Sequence, residues 1–224
     1  GMAYAKNVML TSLQARMQEY ALLYDPKFDC APSSTATEHY RAKLDYPSPH
    51  AFAITHARTG DRVIDLGCAG GGVADALTER GCVVTAVDIE AMAEGNKAAR
   101  FIRHDLEGGP PEEVKEPFDL ILMLDVLEHL SLPEQFLEQL RHTASSGPDL
   151  KVIGSTGNIA FVVTRILHLF GMFNYGKRGI LDITHRRLFT VSTFRRLFRQ
   201  SGYEVLEARG VPMPFPEIFG LNWF

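Results

Sequence analysis

One stretch limits what this chain can fold into. Val63 to Glu90 reads VIDLGCAGGGVADALTERGCVVTAVDIE. Val63 to Leu66 is a short apolar run with a carboxylate, Asp65, inside it. Gly67 to Gly72 is a glycine-rich turn. Val73 to Arg80 is helical by spacing, with Val73, Ala76 and Leu77 on one face. Gly81 stops the helix, and Cys82 to Val87 is a second buried strand that ends at Asp88. Strand, glycine turn, helix, strand and acid make a nucleotide-binding βαβ unit.

The residue types fit that chemistry. Glycines let a backbone turn tightly and approach a ligand that a Cβ would push away. A helix starting at the turn points unpaired N–H groups at the ligand. Asp88 lies 21 positions after Gly67, close to the spacing of about 20 residues expected of a ribose-binding acid. The pattern is not GxxxxGK[ST], so no lysine is placed for a triphosphate. Nor is it a clean GxGxxG, because Ala69 takes the second glycine position. Asp65 discriminates further: it puts negative charge where a dinucleotide brings a pyrophosphate, but where an amino-acid ammonium would be welcome.

These residues resemble the first motif of the class I S-adenosylmethionine-dependent methyltransferases, acid-x-Gly-x-Gly-x-Gly, represented here by Asp65, Gly67, Ala69 and Gly71. The alternatives are a Rossmann turn using NAD, or one without a cofactor. The resemblance covers roughly residues 60 to 208. It implies S-adenosylmethionine as cofactor, held by Asp65, Gly67, Cys68, Ala69, Gly71, Asp88 and Ile89. It also implies adenine contacts from Asp105 and Leu106, at the end of the third strand, and a further contact from Asp125. Asp105 alternatively caps its own turn.

Strands are expected at 63–67, 82–88, 100–105, 118–125 and 149–155, with helices between them, including one at about 90–99. The fold class is therefore α/β, a Rossmann-like, doubly wound, mostly parallel sheet with helices on both faces. Phe118 to Asp125 is continuously apolar until its last residue, as in a strand buried on both faces. A single domain is expected. It comprises an N-terminal helical cap (1–60), a cofactor-binding core (61–157), an insert over the acceptor site (158–190), and a C-terminal helix, strand and proline-rich tail (191–224).

In the cap, helices are expected at 8–24, with Leu13, Met17, Tyr20 and Tyr24 on one face, and at 48–58. His39, Tyr40 and Tyr46 are candidate pocket residues, with a core role the commoner one for such tyrosines. Ser192 is the expected N-cap of a basic helix, and Tyr203 to Ala208 a final strand. The resembled family ends its sheet with an antiparallel hairpin, for which this chain supplies one strand. Pro212, Pro214 and Pro216 exclude regular structure beyond it.

Composition narrows the partners. The net charge of −4 gives no global pull toward nucleic acid. Three cysteines have neither metal nor disulfide spacing, no apolar run reaches the roughly 18 residues of a membrane span, and no signal-peptide pattern opens the chain. A cytoplasmic protein with a small-molecule acceptor is expected.

Methyl transfer to a hydroxyl benefits from a base beyond the ends of the fourth and fifth strands. His129, just after the fourth strand, and His185 are the candidates; the alternative for His129 is a loop-packing role. Asp125, Glu128 and His129 stand at i, i+3 and i+4. With His185 they resemble the divalent-metal set of the metal-assisted quinone and RNA 2′-O enzymes, though those have Glu at the position of Asp125. DVLEHL and GILDITHRRLFT resemble small-molecule and sugar O-methyltransferases. The apolar segment 159–170 is read first as a core helix, alternatively as a lid over a lipophilic acceptor. Seven basic residues between Lys177 and Arg199 form a solvated face or meet an acceptor phosphate. A non-catalytic cofactor-binding subunit is the competing function.

Overall fold

The computed structural model describes residues 2–19, 24–28, 44, 46–145, 147 and 149–211. Its centre is a five-stranded sheet of β1 (Arg62–Leu66), β2 (Val83–Asp88), β3 (Arg100–Arg103), β4 (Leu120–Leu124) and β5 (Lys151–Ser155), in the order β3-β2-β1-β4-β5. Every pairing is parallel. The strand order reverses between β1 and β4, and the crevice outside such a reversal is where open α/β sheets bind ligands. Asp65 is in register with Ala86 of β2 and Leu122 of β4, so it lies on the central strand beside that crevice.

Burial follows strand position. All five residues of β4 are buried, as its apolar run predicts, while β3 and β5 are more exposed, as edge strands are. One face carries Ile64, Leu66, Ile121 and Met123 against Phe136, Leu137 and Leu140 of α4 (Pro133–Thr143) and Leu197 of α6 (Val191–Gln200). The other carries Val63, Val84, Leu120 and Leu122 against Ala53 and Ala57 at α2 (Pro49–His56) and Leu77 of α3 (Gly72–Glu79). Alternate residues of each strand thus feed two cores.

Several expectations are corrected. The segment 90–99 is irregular rather than helical. Gly95 has φ +79°, and the Asn96 side chain donates to the Gly71 carbonyl and accepts from the Ala98 N–H. These bonds hold the crossover against the glycine turn in place of a helical ladder. Residues 203–208 form no strand. The Tyr203 hydroxyl is committed to the Leu137 carbonyl on one face of the sheet, and the Arg209 guanidinium lies over the Phe52 ring of α2 on the other. The chain therefore passes across the β5 edge without pairing to it. Among the described residues the sheet has no antiparallel strand; the proline-rich tail from Pro212 lies outside them.

Thr190, not Ser192, caps α6: its side chain accepts from the Thr193 N–H and the Thr193 hydroxyl returns the bond, a reciprocal box. In the cap, α1 spans Met2–Glu19, beginning earlier than expected, and Leu13 is exposed rather than on a packed face. The second cap helix starts where Ser48 and Pro49 place it, with the Ser48 hydroxyl accepting from the Ala51 N–H. His39, Tyr40 and Tyr20 lie outside the described residues.

Leu140 is fully buried where α4 meets the sheet. Leu140→Ala should cost about 2–5 kcal/mol of unfolding free energy, read by chemical denaturation; a loss under about 1 kcal/mol would mean that α4 is not seated as described.

Candidate functional site

The glycine turn is built for close approach, but partly to protein. Gly67 (φ +81°) lies so near Val126 that a Cβ would come within 2.5 Å of its Cγ2; Gly71 (φ +83°) lies against the Asn96 amide in the same way. Both combine left-handed backbone with contacts that exclude any side chain. Ala69 also adopts positive φ, +47°, which costs an L-residue about 1–2 kcal/mol. The turn is anchored by Gly67 and Cys68 N–H groups donating to the Val87 carbonyl at 2.8 and 3.1 Å, and by the Ala69 N–H donating to Asp88 Oδ2 at 2.7 Å. Asp88 Oδ1 accepts from the Glu90 N–H. The predicted ribose acid thus first secures the turn. Its two oxygens still have lone pairs for hydroxyl donors.

A small recess opens here, lined by His50, Asp65, Gly67, Cys68, Ala69, Gly72, Val73 and Leu124. Asp65 is 2% exposed, and its Oδ2 is buried with no hydrogen-bond partner among the described residues. Burial, and then the neighbouring Asp88 charge, push its pKa up to about 7. A buried carboxylate oxygen lacking a donor is costly in isolation. Its presence in a recess beside backbone N–H groups makes sense for a ligand that brings its own cationic donor. The residues therefore fit the ammonium end of the predicted cofactor. Burial likewise raises the Cys68 thiol pKa, so it remains protonated and behaves as wall, not nucleophile. His50 went unnoticed in the sequence. Ser48-Pro49 marks the helix start, but only the fold brings residue 50 to Asp65.

Further along the same edge, Ile89 is exposed at the tip of β2. Asp105 Oδ1 accepts from the Glu107 N–H, so this residue does cap its own turn, with Oδ2 left over. Leu106 is half-buried against the core. Asp125 has φ +56°, and the Ser155 hydroxyl donates to its Oδ1 at 2.6 Å, joining the ends of β4 and β5.

Beyond β4 the segment 125–130 is a turn, not a helix, so Asp125, Glu128 and His129 do not share a helix face. Glu128 is 1% exposed; its Oε1 accepts from the Gly157 N–H and its Oε2 has no partner among the described residues. Its carbonyl takes the N–H groups of Arg186 and Arg187. Burial, and then Asp125, push its pKa up to about 7. No group of three His, Cys, Asp or Glu side chains among the described residues is arranged to hold a metal ion. The four-residue metal set is therefore not formed in this arrangement.

His129 and His185, 56 positions apart in sequence, do meet: their rings make an edge contact with centroids 4.8 Å apart. The Thr184 hydroxyl donates to Asp182 Oδ1 at 2.7 Å, so its oxygen accepts from His129 Nδ1 at 3.2 Å. His129 Nδ1 therefore donates, which leaves Nε2 as the ring nitrogen available to take a proton. His185 Nδ1 lies 3.0 Å from the Ile180 carbonyl, which fixes the same tautomer. Thr184 and Asp182 could not be assigned these parts from spacing alone. Of the basic residues, Arg186 pairs with Glu107, and Arg187 with Glu134, so neither is held ready for a phosphate.

Comparison with known proteins agrees with this geometry. Residues 36–208 match the model of a methyltransferase domain, and the chain belongs to that family; its methyl donor is S-adenosylmethionine. It is 28% identical over 181 residues to a ubiquinone biosynthesis O-methyltransferase of Maricaulis maris, covering 73% of this chain and 67% of that one. It is 32% identical over 122 residues to the Xylella fastidiosa protein of the same name, covering 49% of this chain and 46% of that relative. The fold is shared with a Burkholderia thailandensis 1,6-didemethyltoxoflavin-N1-methyltransferase solved with S-adenosylhomocysteine. That match has a TM-score of 0.55 and 20% identity, over 80% of this chain and 74% of that one.

An acid whose pKa is higher folded than unfolded binds its proton more tightly in the folded state. The stability it gives is complete below the unfolded value of 3.8 and is lost as pH rises toward about 7. Free protein should therefore lose stability across that window, and Asp65→Asn should be more stable than wild type at pH 8 by about 1–3 kcal/mol. Thermal melts from pH 4 to 8 check this; an Asp65→Asn protein less stable at pH 8 would contradict it.

Proposed function

We propose that this chain transfers the methyl group of S-adenosylmethionine to a hydroxyl of a small aromatic acceptor of quinone-precursor type. The observation that supports the reading of an activated hydroxyl is the hydrogen-bonded series Asp182, Thr184, His129, which commits His129 Nδ1 to donating and leaves Nε2 as the nitrogen that can take a proton at the strand ends. The names of the relatives support a ring hydroxyl over a sugar hydroxyl.

In this reading Asp65 receives the ammonium group of the cofactor, and the Gly67–Gly71 turn, with Cys68 and Ala69, lies along its amino-acid portion. Asp88 accepts from the ribose hydroxyls. Ile89 and Leu106 sandwich the adenine while Asp105 Oδ2 accepts from its amine. Asp125, held by Ser155, closes the floor between β4 and β5. When bound, the cofactor supplies an electrophilic sulfonium methyl. The protein aligns the acceptor oxygen with it and keeps water out, and alignment alone contributes several kcal/mol. His129 Nε2 removes the hydroxyl proton as the oxygen attacks; Thr184 and Asp182 hold the ring in the basic tautomer and stabilise the imidazolium that forms. His185 backs the His129 ring. The segment 158–190 covers the acceptor. The buried cysteines Cys68 and Cys82 suit a reducing compartment, and we place the enzyme in the cytoplasm.

Methyl release against catechol, hydroquinone and sugar acceptors tests the assignment. His129→Ala should slow single-turnover transfer by about 10²–10⁴-fold, with S-adenosylhomocysteine affinity unchanged. Thr184→Val should slow it by about tenfold through loss of tautomer control. An unchanged rate in His129→Ala would remove the histidine from the mechanism. Cofactor binding with no turnover on any acceptor would favour a non-catalytic subunit.

A further inference from the structure

The turn after β3 and the arm that carries Thr184 and His185 are far apart in sequence, yet one side chain joins them. Glu107 stands next to Leu106 in the turn of the candidate adenine contacts, and its N–H donates to Asp105 Oδ1 at 3.0 Å. Its carboxylate reaches Ser131, 24 positions on, accepting from the Ser131 N–H at 3.2 Å and from the Ser131 hydroxyl at 3.3 Å. The Arg186 guanidinium lies 3.0 Å from the same carboxylate oxygen and also donates to the Ser131 hydroxyl. Glu107, Ser131 and Arg186 thus close a triangle. Each corner belongs to a different part of the site: the adenine-side turn, the segment just after His129, and the arm.

Folding stability does not account for this triangle. The Glu107 and Arg186 side chains are 36% and 58% exposed, and ion pairs so exposed add little to stability. Nor does the arm need the pair to stay seated. The Arg186 and Arg187 N–H groups donate to the carbonyl of the buried Glu128, and Arg187 pairs with Glu134 of α4. What differs is where each contact leads. Glu134 leads back into α4, whereas Glu107 leads to the cofactor edge. There, one Asp105 oxygen caps the three-residue 3₁₀ turn Leu106–Gly108, and the other is left for the adenine amine. A ligand that fixes Asp105 therefore fixes Glu107 as well, and the entropy cost of holding the arm falls.

We propose that Glu107 is a positioning residue for methyl transfer: it ties the arm bearing Thr184 and His185 to the adenine-side turn, so that a bound cofactor tightens the histidine pair. The inference rests on the reading above that Asp105 meets the adenine and that His129 is the base.

Hydrogen exchange of the Arg186 and Arg187 amides, without ligand and with saturating S-adenosylhomocysteine, tests this and needs no acceptor. In wild type the ligand should slow their exchange at least about fivefold. Glu107→Gln and Arg186→Gln should each abolish that slowing, with S-adenosylhomocysteine affinity held within about threefold. Glu134→Gln breaks a pair of similar exposure that does not reach the cofactor edge, and the slowing should persist. Single-turnover transfer to catechol should fall about tenfold in Glu107→Gln and stay unchanged in Glu134→Gln. An arm that the ligand does not protect in wild type, or that stays protected in Glu107→Gln, overturns the proposal, as does an undiminished transfer rate in Glu107→Gln. Failure of the underlying reading shows elsewhere: Asp105→Ala with full S-adenosylhomocysteine affinity refutes the adenine contact, and His129→Ala with full activity refutes the base.

Discussion

The structure is arranged around one uncompensated group. Asp65 lies on the central strand, almost fully buried, with one carboxylate oxygen lacking any donor among the described residues. An ionised carboxylate in that position is expensive, and among the described residues no lysine or arginine pairs with it. The charge of another acid, Asp88, raises its pKa further. Such a residue is unfavourable for the free protein and useful for the complex. The site keeps the carboxyl near the midpoint of its titration at neutral pH, so a cationic ligand finds a partner whose charge it can complete.

The rest of the cofactor edge follows from holding that group in place. Asp88 ties the glycine turn to β2 through the Ala69 N–H. Asn96 grips the Gly71 carbonyl from the crossover, and Val126 closes over Gly67. The second half of the site sits across the strand-order reversal, where Ser155 joins β5 to Asp125 and Glu128 gathers the Arg186–Arg187 arm. That arm brings Thr184 and His185 to His129. The candidate cofactor residues are thus mostly local in sequence, within 63–106 apart from His50, Leu124 and Asp125, while the candidate base depends on contacts more than 50 residues apart.

This division explains what could be read without coordinates. The five strands and the βαβ unit are written in apolar runs and glycines, and the strand limits differ by only a few residues. Helix 90–99 failed because its pattern carries no information about Asn96 reaching Gly71, a tertiary bond that outcompetes a weak local propensity. The 203–208 strand failed because an apolar-polar alternation cannot say whether an edge is available; Tyr203 and Arg209 are committed elsewhere. Segment 159–170 is apolar enough for a core, but its helix α5 (Val162–Leu169) buries only Thr164 and Leu167, and periodicity alone cannot tell an inward from an outward stripe. His50 and Thr184 carry no local signature at all.

Asp65 is expected to be a neutral-range acid that ionises fully when the cofactor binds. A ¹³C NMR titration of the Asp65 carboxyl, free and with saturating S-adenosylmethionine, measures this directly. The free protein should show a midpoint at about 7, and the complex one lowered by at least about two pH units as the ammonium favours the charged form. A midpoint near 4 in the free protein, or one that stays put on binding, would contradict the account.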